Sequence, residues 1–93
     1  KLTAANEYIE RFEETAAEYA ASRGFDGVVC GHIHRPGARL IGGVRYVNDG
    51  DWVEHRTAIA EDAAGQLFLL RFTRKGIDLE PLFGSRVRSK RAA

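Results

Sequence analysis

The chain predicts an α/β-class domain, α+β when taken in isolation, with one N-terminal amphipathic helix followed by five or six short strands. Three observations carry this. Apolar residues recur at three- and four-residue steps over residues 3–23. β-branched and aromatic runs, broken by Gly, Pro and Asp, fill residues 28–83. The 93 residues show no repeat and no internal linker, which leaves room for one small domain. Residues 1–83 are assigned to that domain, and residues 84–93 to a basic tail predicted to be disordered.

The helix starts at Thr3, a plausible N-cap, and stops at Gly24, which suits a left-handed terminus. Ala5, Ile9, Phe12, Ala16, Tyr19, Ala20 and Arg23 define its inner face. Glu7, Glu10, Glu13, Glu14 and Glu18 define an outer face expected to be solvated. Val28-Val29-Cys30 reads as a short buried strand, and Arg35-Pro36-Gly37 as a loop. Residues 39–41 and 44–47 read as a hairpin closed by Gly42-Gly43. After a break at 48–51, strand propensity returns over Trp52–Glu61. Asp62–Gly65 turns, Gln66–Phe72 forms another strand, and residues 77–83 form a weak edge strand. One helix covers one face of such a sheet. The other face, lined by Leu40, Leu67 and Leu69, is left needing a second layer.

Composition excludes some classes. Cys30 is the sole cysteine, so no disulfide framework exists, which suits a reducing compartment. No apolar run approaches the roughly 20 residues that span a bilayer, and Lys1–Asn6 is no signal peptide. The expected location is cytoplasmic. The sequence contains no methionine, and the chain is read as a piece of a longer protein. The net charge of +1 is neutral evidence on partners. Arg86, Arg88, Lys90 and Arg91 concentrate positive charge in the tail, where a salt-sensitive contact with an anionic membrane surface is one reading and a solvated tail the other. Nucleic acid is not an expected partner, because no aromatic residues interleave with these cations.

The chemistry concentrates in Gly31-His32-Ile33-His34. On a continuing strand the two imidazoles would share one face. If the strand breaks at Gly31, they stand on the loop at its carboxyl end, where open α/β sheets bind ligands. His32 and His34 are therefore the candidate metal ligands. Cys30 falls in the same alternating series, which leaves a small zinc module using Cys30, His32 and His34 as the alternative. His55 is read as a surface or partly buried strand histidine. Arg35 is a candidate for contact with a substrate phosphate.

Val28–Arg35, then Tyr46-Val47-Asn48-Asp49-Gly50-Asp51-Trp52-Val53-Glu54 and Thr57-Ala58, resemble the C-terminal part of calcineurin-like metallophosphoesterases. The branch most similar is that of the UDP-2,3-diacylglucosamine hydrolases of lipid A synthesis, over roughly residues 3–73, with Ile9, Phe12 and Glu13 included. The resemblance implies the C-terminal half of a four-layer α/β/β/α sandwich around two divalent ions, often manganese. It places one ion on His32 and the other on His34. It implies a nucleotide-linked lipid diphosphate or other phosphoester as substrate, and a location on the cytoplasmic side of the inner membrane. Residues 48–51 stand where many relatives carry Asn-Pro-Gly-Ser; Asp49 and Asp51 either tune the ligands or are turn residues. The family's upstream motifs (Asp-x-His, Gly-Asp-x-x-Asp, Gly-Asn-His-Asp/Glu and a lone His) are absent here. No catalytic residue is therefore assigned in this chain, which is expected to be inactive without the missing N-terminal portion of the fold.

Overall fold

The computed structural model describes residues 4–84. Thr3 as a cap and the four cations of the tail lie outside the described residues. Within them the fold is α+β, with one helix, α1 (Ala4–Ser22), and six strands: β1 (Gly27–Cys30), β2 (Gly37–Ile41), β3 (Val44–Asn48), β4 (Thr57–Glu61), β5 (Leu67–Thr73) and β6 (Gly76–Pro81). They form two three-stranded sheets, ordered β1-β3-β2 and β4-β5-β6. In the first, β1 runs parallel to β3 and β2 antiparallel to it. The second is antiparallel throughout. Among these residues no helix is long and apolar enough to cross a membrane.

The period-two pleat of β3 divides the core. Val44 faces α1, where Ala17 and Ala20 are buried and Phe25, Val28 and Ile41 pack around them. Val47 faces the second sheet and packs on Leu69 and Leu82, with Ala38, Ile59 and Leu67 at the margin. The first sheet is thus covered by a helix on one side and by a sheet on the other. Small alanines on α1 let the helix lie close to the strands.

The helix stops as its sequence requires. Gly24 has φ +80°, its N–H donates to the Ala21 carbonyl, and the Phe25 N–H donates to the Ala20 carbonyl at 2.9 Å. This is a Schellman closure, with Phe25 folding back onto the Ala20 cluster. The β2–β3 hairpin closes through Gly42 and Gly43, both at positive φ, as the Gly-Gly pair predicts.

Three expectations need correction. First, Glu13 is not on a solvated face. It is buried beside Ala17 and Ala20, while Ala5 and Tyr19 are exposed. Its Oε1 accepts hydrogen bonds from Arg39 Nε at 3.0 Å and Nη2 at 2.8 Å. Arg39 stands opposite Tyr46 in the β2–β3 register, so both face the helix. Sequence periodicity ranks a Glu as outward, whereas a cation from the adjacent strand lets it turn inward.

Second, no strand runs from Trp52. Residues 52–55 form a turn, and β4 starts at Thr57. Third, Leu67 and Leu69 do not line an open face. They pack between the sheets, and only Leu40 of that trio is exposed. The less covered apolar surface is the outer side of the second sheet. There Leu70 pairs with Leu79 and Phe72 with Ile77, and Ile77 and Leu79 are exposed.

The Glu13–Arg39 pair yields a stability prediction. Arg39→Ala leaves a buried carboxylate without its cation and should lower the unfolding free energy by about 1–3 kcal/mol. Urea denaturation of the two chains checks this, and an unchanged midpoint would mean that water replaces Arg39 without loss.

Candidate metal centre

The site lies at the carboxyl ends of the parallel pair β1 and β3. Cys30 and Asn48, the last residues of these strands, stand opposite each other in the register. The histidine loop leaves one strand and the loop 49–56 leaves the other. The two loops are tied together at once. Asp49 N–H donates to the Cys30 carbonyl at 3.0 Å, which extends the ladder by one bond. Asn48 has no exposed surface. Its Nδ2 donates to the Gly31 carbonyl at 3.2 Å and to Tyr46 Oη at 3.0 Å, and its Oδ1 accepts from Gly50 N–H at 2.9 Å.

Close packing completes the junction. A Cβ on Gly31 would stand 3.2 Å from Asp49 Oδ1. A Cβ on Gly50 would fall 2.0 Å from Thr57 Oγ1 and 2.8 Å from Pro36 Cβ, inside any permitted contact. Thr57 Oγ1 itself donates to the Asp49 carbonyl at 2.9 Å.

Beyond Gly31 the backbone is strained. His32 has φ +79° and is bridged by a hydrogen bond from Ile33 N–H to the Gly31 carbonyl at 2.9 Å, the rare γ-turn with positive φ at its centre. His34 has φ +52°. Among the described residues four non-glycine residues have positive φ, and two of them, His32 and His34, fall in this one loop, with Arg56 and Phe83 elsewhere. The strand therefore breaks at Gly31, and the loop alternative of the sequence reading holds.

The loop sends its histidines to different neighbours. The His32 ring lies 6.2 Å from the Phe12 ring of α1, centroid to centroid. The His34 ring belongs to a group with Asp51 and Glu54, whose donor atoms all lie within 4.8 Å of one another. Cys30 and His32 are not part of that group. Burial, and then the Asp49 carboxylate, raise the Cys30 thiol above its ordinary pKa of 9.0. Arg35 is exposed and lines a groove between α1 and β2, with Glu10, Glu13, Arg39 and Tyr46.

The turn 51–57 brings Asp51 and Glu54 to His34. Asp51 Oδ1 accepts the N–H groups of Glu54 and His55, as a cap does. The turn closes with Arg56 at φ +53° and a bond from Thr57 N–H to the Asp51 carbonyl at 3.1 Å. Trp52 packs edge-on against Phe72 of β5, centroids 4.9 Å apart, which docks the turn on the second sheet. His55 is thus a turn residue and not a strand residue. Its Nδ1 stands 2.5 Å from Asp51 Oδ2.

Burial pushes the Asp51 carboxyl up. The His55 ring, the two N–H donors and the His55 charge outweigh it and hold the pKa at about 2, against an ordinary 3.8. Sequence reasoning missed Glu54 altogether and left Asp51 as one of two alternatives. The available signal was Asp51 three residues before Glu54, the spacing of a capped turn.

Comparison of the chain with protein-family models, with curated proteins and with solved structures finds no match.

Two predictions follow from this geometry. Asn48→Ala strips partners from the Gly31 carbonyl and the Gly50 N–H in a closed interior, and should destabilise the fold by about 2–4 kcal/mol. Chemical denaturation reads this directly, and a loss below about 0.5 kcal/mol would show that the junction is not a structural tie. The second concerns pH. Asp51 has a depressed pKa, so its contribution is complete above 3.8 and is lost as the pH falls towards about 2. The stability gap between the chain and Asp51→Asn, measured without added metal, should shrink as the pH falls from 3.8 towards about 2. A gap independent of pH from 5 to 2 would contradict the assignment.

Proposed function

We propose that this chain is the C-terminal part of a two-metal phosphoesterase or pyrophosphatase. The parent would act on a nucleotide-linked lipid diphosphate at the cytoplasmic face of a membrane. The observation that carries the reading is Gly31-His32-Ile33-His34 leaving the carboxyl end of a parallel strand, with both histidines in strained left-handed backbone. The extended resemblance through Glu54 supplies the reaction class. The helix–sheet–sheet order agrees with three layers of the proposed four-layer sandwich, whose remaining layer would cover the outer face of β4-β5-β6.

The donor chemistry fits divalent ions. Imidazole suits manganese, iron, zinc or nickel, with manganese the expected pair. Bound there, such ions would supply Lewis acidity and a hydroxide nucleophile. This chain's own residues would do the rest. His32 and His34 each present one imidazole, and their different neighbours, Phe12 for one and Asp51 with Glu54 for the other, are compatible with two separate ions. Asn48 fixes the loop that carries them. Arg35, next to His34 and free to extend into solvent, would meet a substrate phosphate with its planar fork. The aspartate that bridges the ions and the group that protonates the leaving oxygen would come from the upstream portion. By this reading the 93 residues alone do not turn over substrate.

The alternative, a one-zinc module on Cys30, His32 and His34, is not favoured by the geometry, because among the described residues His34 converges with Asp51 and Glu54 and not with Cys30 and His32. The experiment measures manganese-dependent hydrolysis of UDP-2,3-diacylglucosamine and of a generic phosphodiester. It compares the 93-residue chain with the complete product of its gene. The chain alone should show no turnover above the blank. The complete protein should lose at least about 100-fold with His32→Ala or His34→Ala. Turnover by the isolated chain that His34→Ala abolishes would overturn the fragment reading.

A further inference from the structure

We infer that this chain holds one divalent cation by itself, on His34, Asp51 and Glu54. The set goes beyond the histidine pair proposed above and shares only His34 with it. Two carboxylates and one imidazole converge from two loops, with their donor atoms within 4.8 Å of one another. An ion about 2.0–2.2 Å from each ligand needs donors no more than roughly 4.4 Å apart, so small rotations of exposed side chains suffice. His34 and Glu54 are exposed and can make that adjustment.

Asp51 is already in place. Its side chain is only 5 % exposed, one oxygen is held by backbone N–H groups and the other by His55 Nδ1. A ligating carboxylate braced by a second residue is the arrangement that raises metal affinity. The His34 backbone is fixed too, at φ +52° on a loop tied to β3 through Asn48. One of the three donors, on Asp51, is therefore ordered before any ion arrives, and the backbone that carries a second is fixed.

Charge points the same way. The two carboxylates bring negative charge that a divalent ion would offset. One nitrogen and two oxygens form a borderline-hard donor set, suited to zinc, manganese or iron(II) and too nitrogen-containing for calcium or magnesium. Two of the three ligands are on the rim, so the remaining coordination positions open to water. The ion would be exchangeable, unlike one in a closed structural zinc site.

The test is a calorimetric titration of the 93-residue chain with zinc, repeated on Glu54→Gln, His34→Gly and His32→Ala. Gly at position 34 keeps the left-handed backbone without strain. Glu54 lies on an exposed turn, so its amide replacement leaves the fold intact, which circular dichroism checks. The expected result is one zinc per chain. Its dissociation constant should rise about tenfold or more in Glu54→Gln and His34→Gly, and less than about twofold in His32→Ala. In amide spectra, manganese should first broaden residues 34 and 51–55. Absence of saturable binding would overturn the inference, as would full affinity in Glu54→Gln. Affinity lost in His32→Ala but kept in Glu54→Gln would also overturn it, while leaving the histidine-pair reading intact.

Discussion

The buried Asn48 amide is the tie on which the candidate site depends. It ends β3, opposite the end of β1, and joins the two loops that leave these strands. Strand ends ordinarily fray into independent loops. Here one side chain satisfies the first carbonyl of the histidine loop and the N–H of the glycine that opens the other. A buried amide with three of its four bonding positions used is costly to disrupt, so the loops keep one relative arrangement.

Everything nearer the chemistry inherits that arrangement. Gly50 presses against Thr57 and Pro36 with no space for a side chain, so the histidine loop, the 49–56 loop and the start of β4 pack as one unit. The strained conformations of His32 and His34 persist because this unit holds the backbone on either side. Asp51 then starts a single capped turn, and the turn carries Glu54 to His34. The second sheet contributes by anchoring that turn through Trp52 on Phe72.

Much of the fold is legible in the sequence, because local chemistry and tertiary context agree there. The helix with its glycine stop, the Val28–Cys30 strand, the Gly42-Gly43 hairpin and the 67–73 strand all follow from period and turn residues, although Val28 and Cys30 are only half-buried and Val29 is exposed where a buried strand is expected. The failures have no single cause, but in two of them a polar partner reversed a local preference. Glu13 is inside because Arg39, 26 residues away, meets it. Trp52-Val53-Glu54-His55 has strand composition but winds into a turn because Asp51 caps it. The histidine pair was legible as a motif. Its division between Phe12 and the Asp51–Glu54 pair was not, since it depends on backbone angles at two residues whose type does not demand them.

The most direct measurement is native-state hydrogen exchange at Asp49 and Gly50. If the tie is the structural centre of the site, these loop amides, bonded to the Cys30 carbonyl and to Asn48 Oδ1, exchange only by global unfolding. Their exchange free energies should then equal those of the β3 amides. Rapid exchange, at the level of the exposed 62–65 turn, would show that the loops open independently of the sheet and would contradict the account.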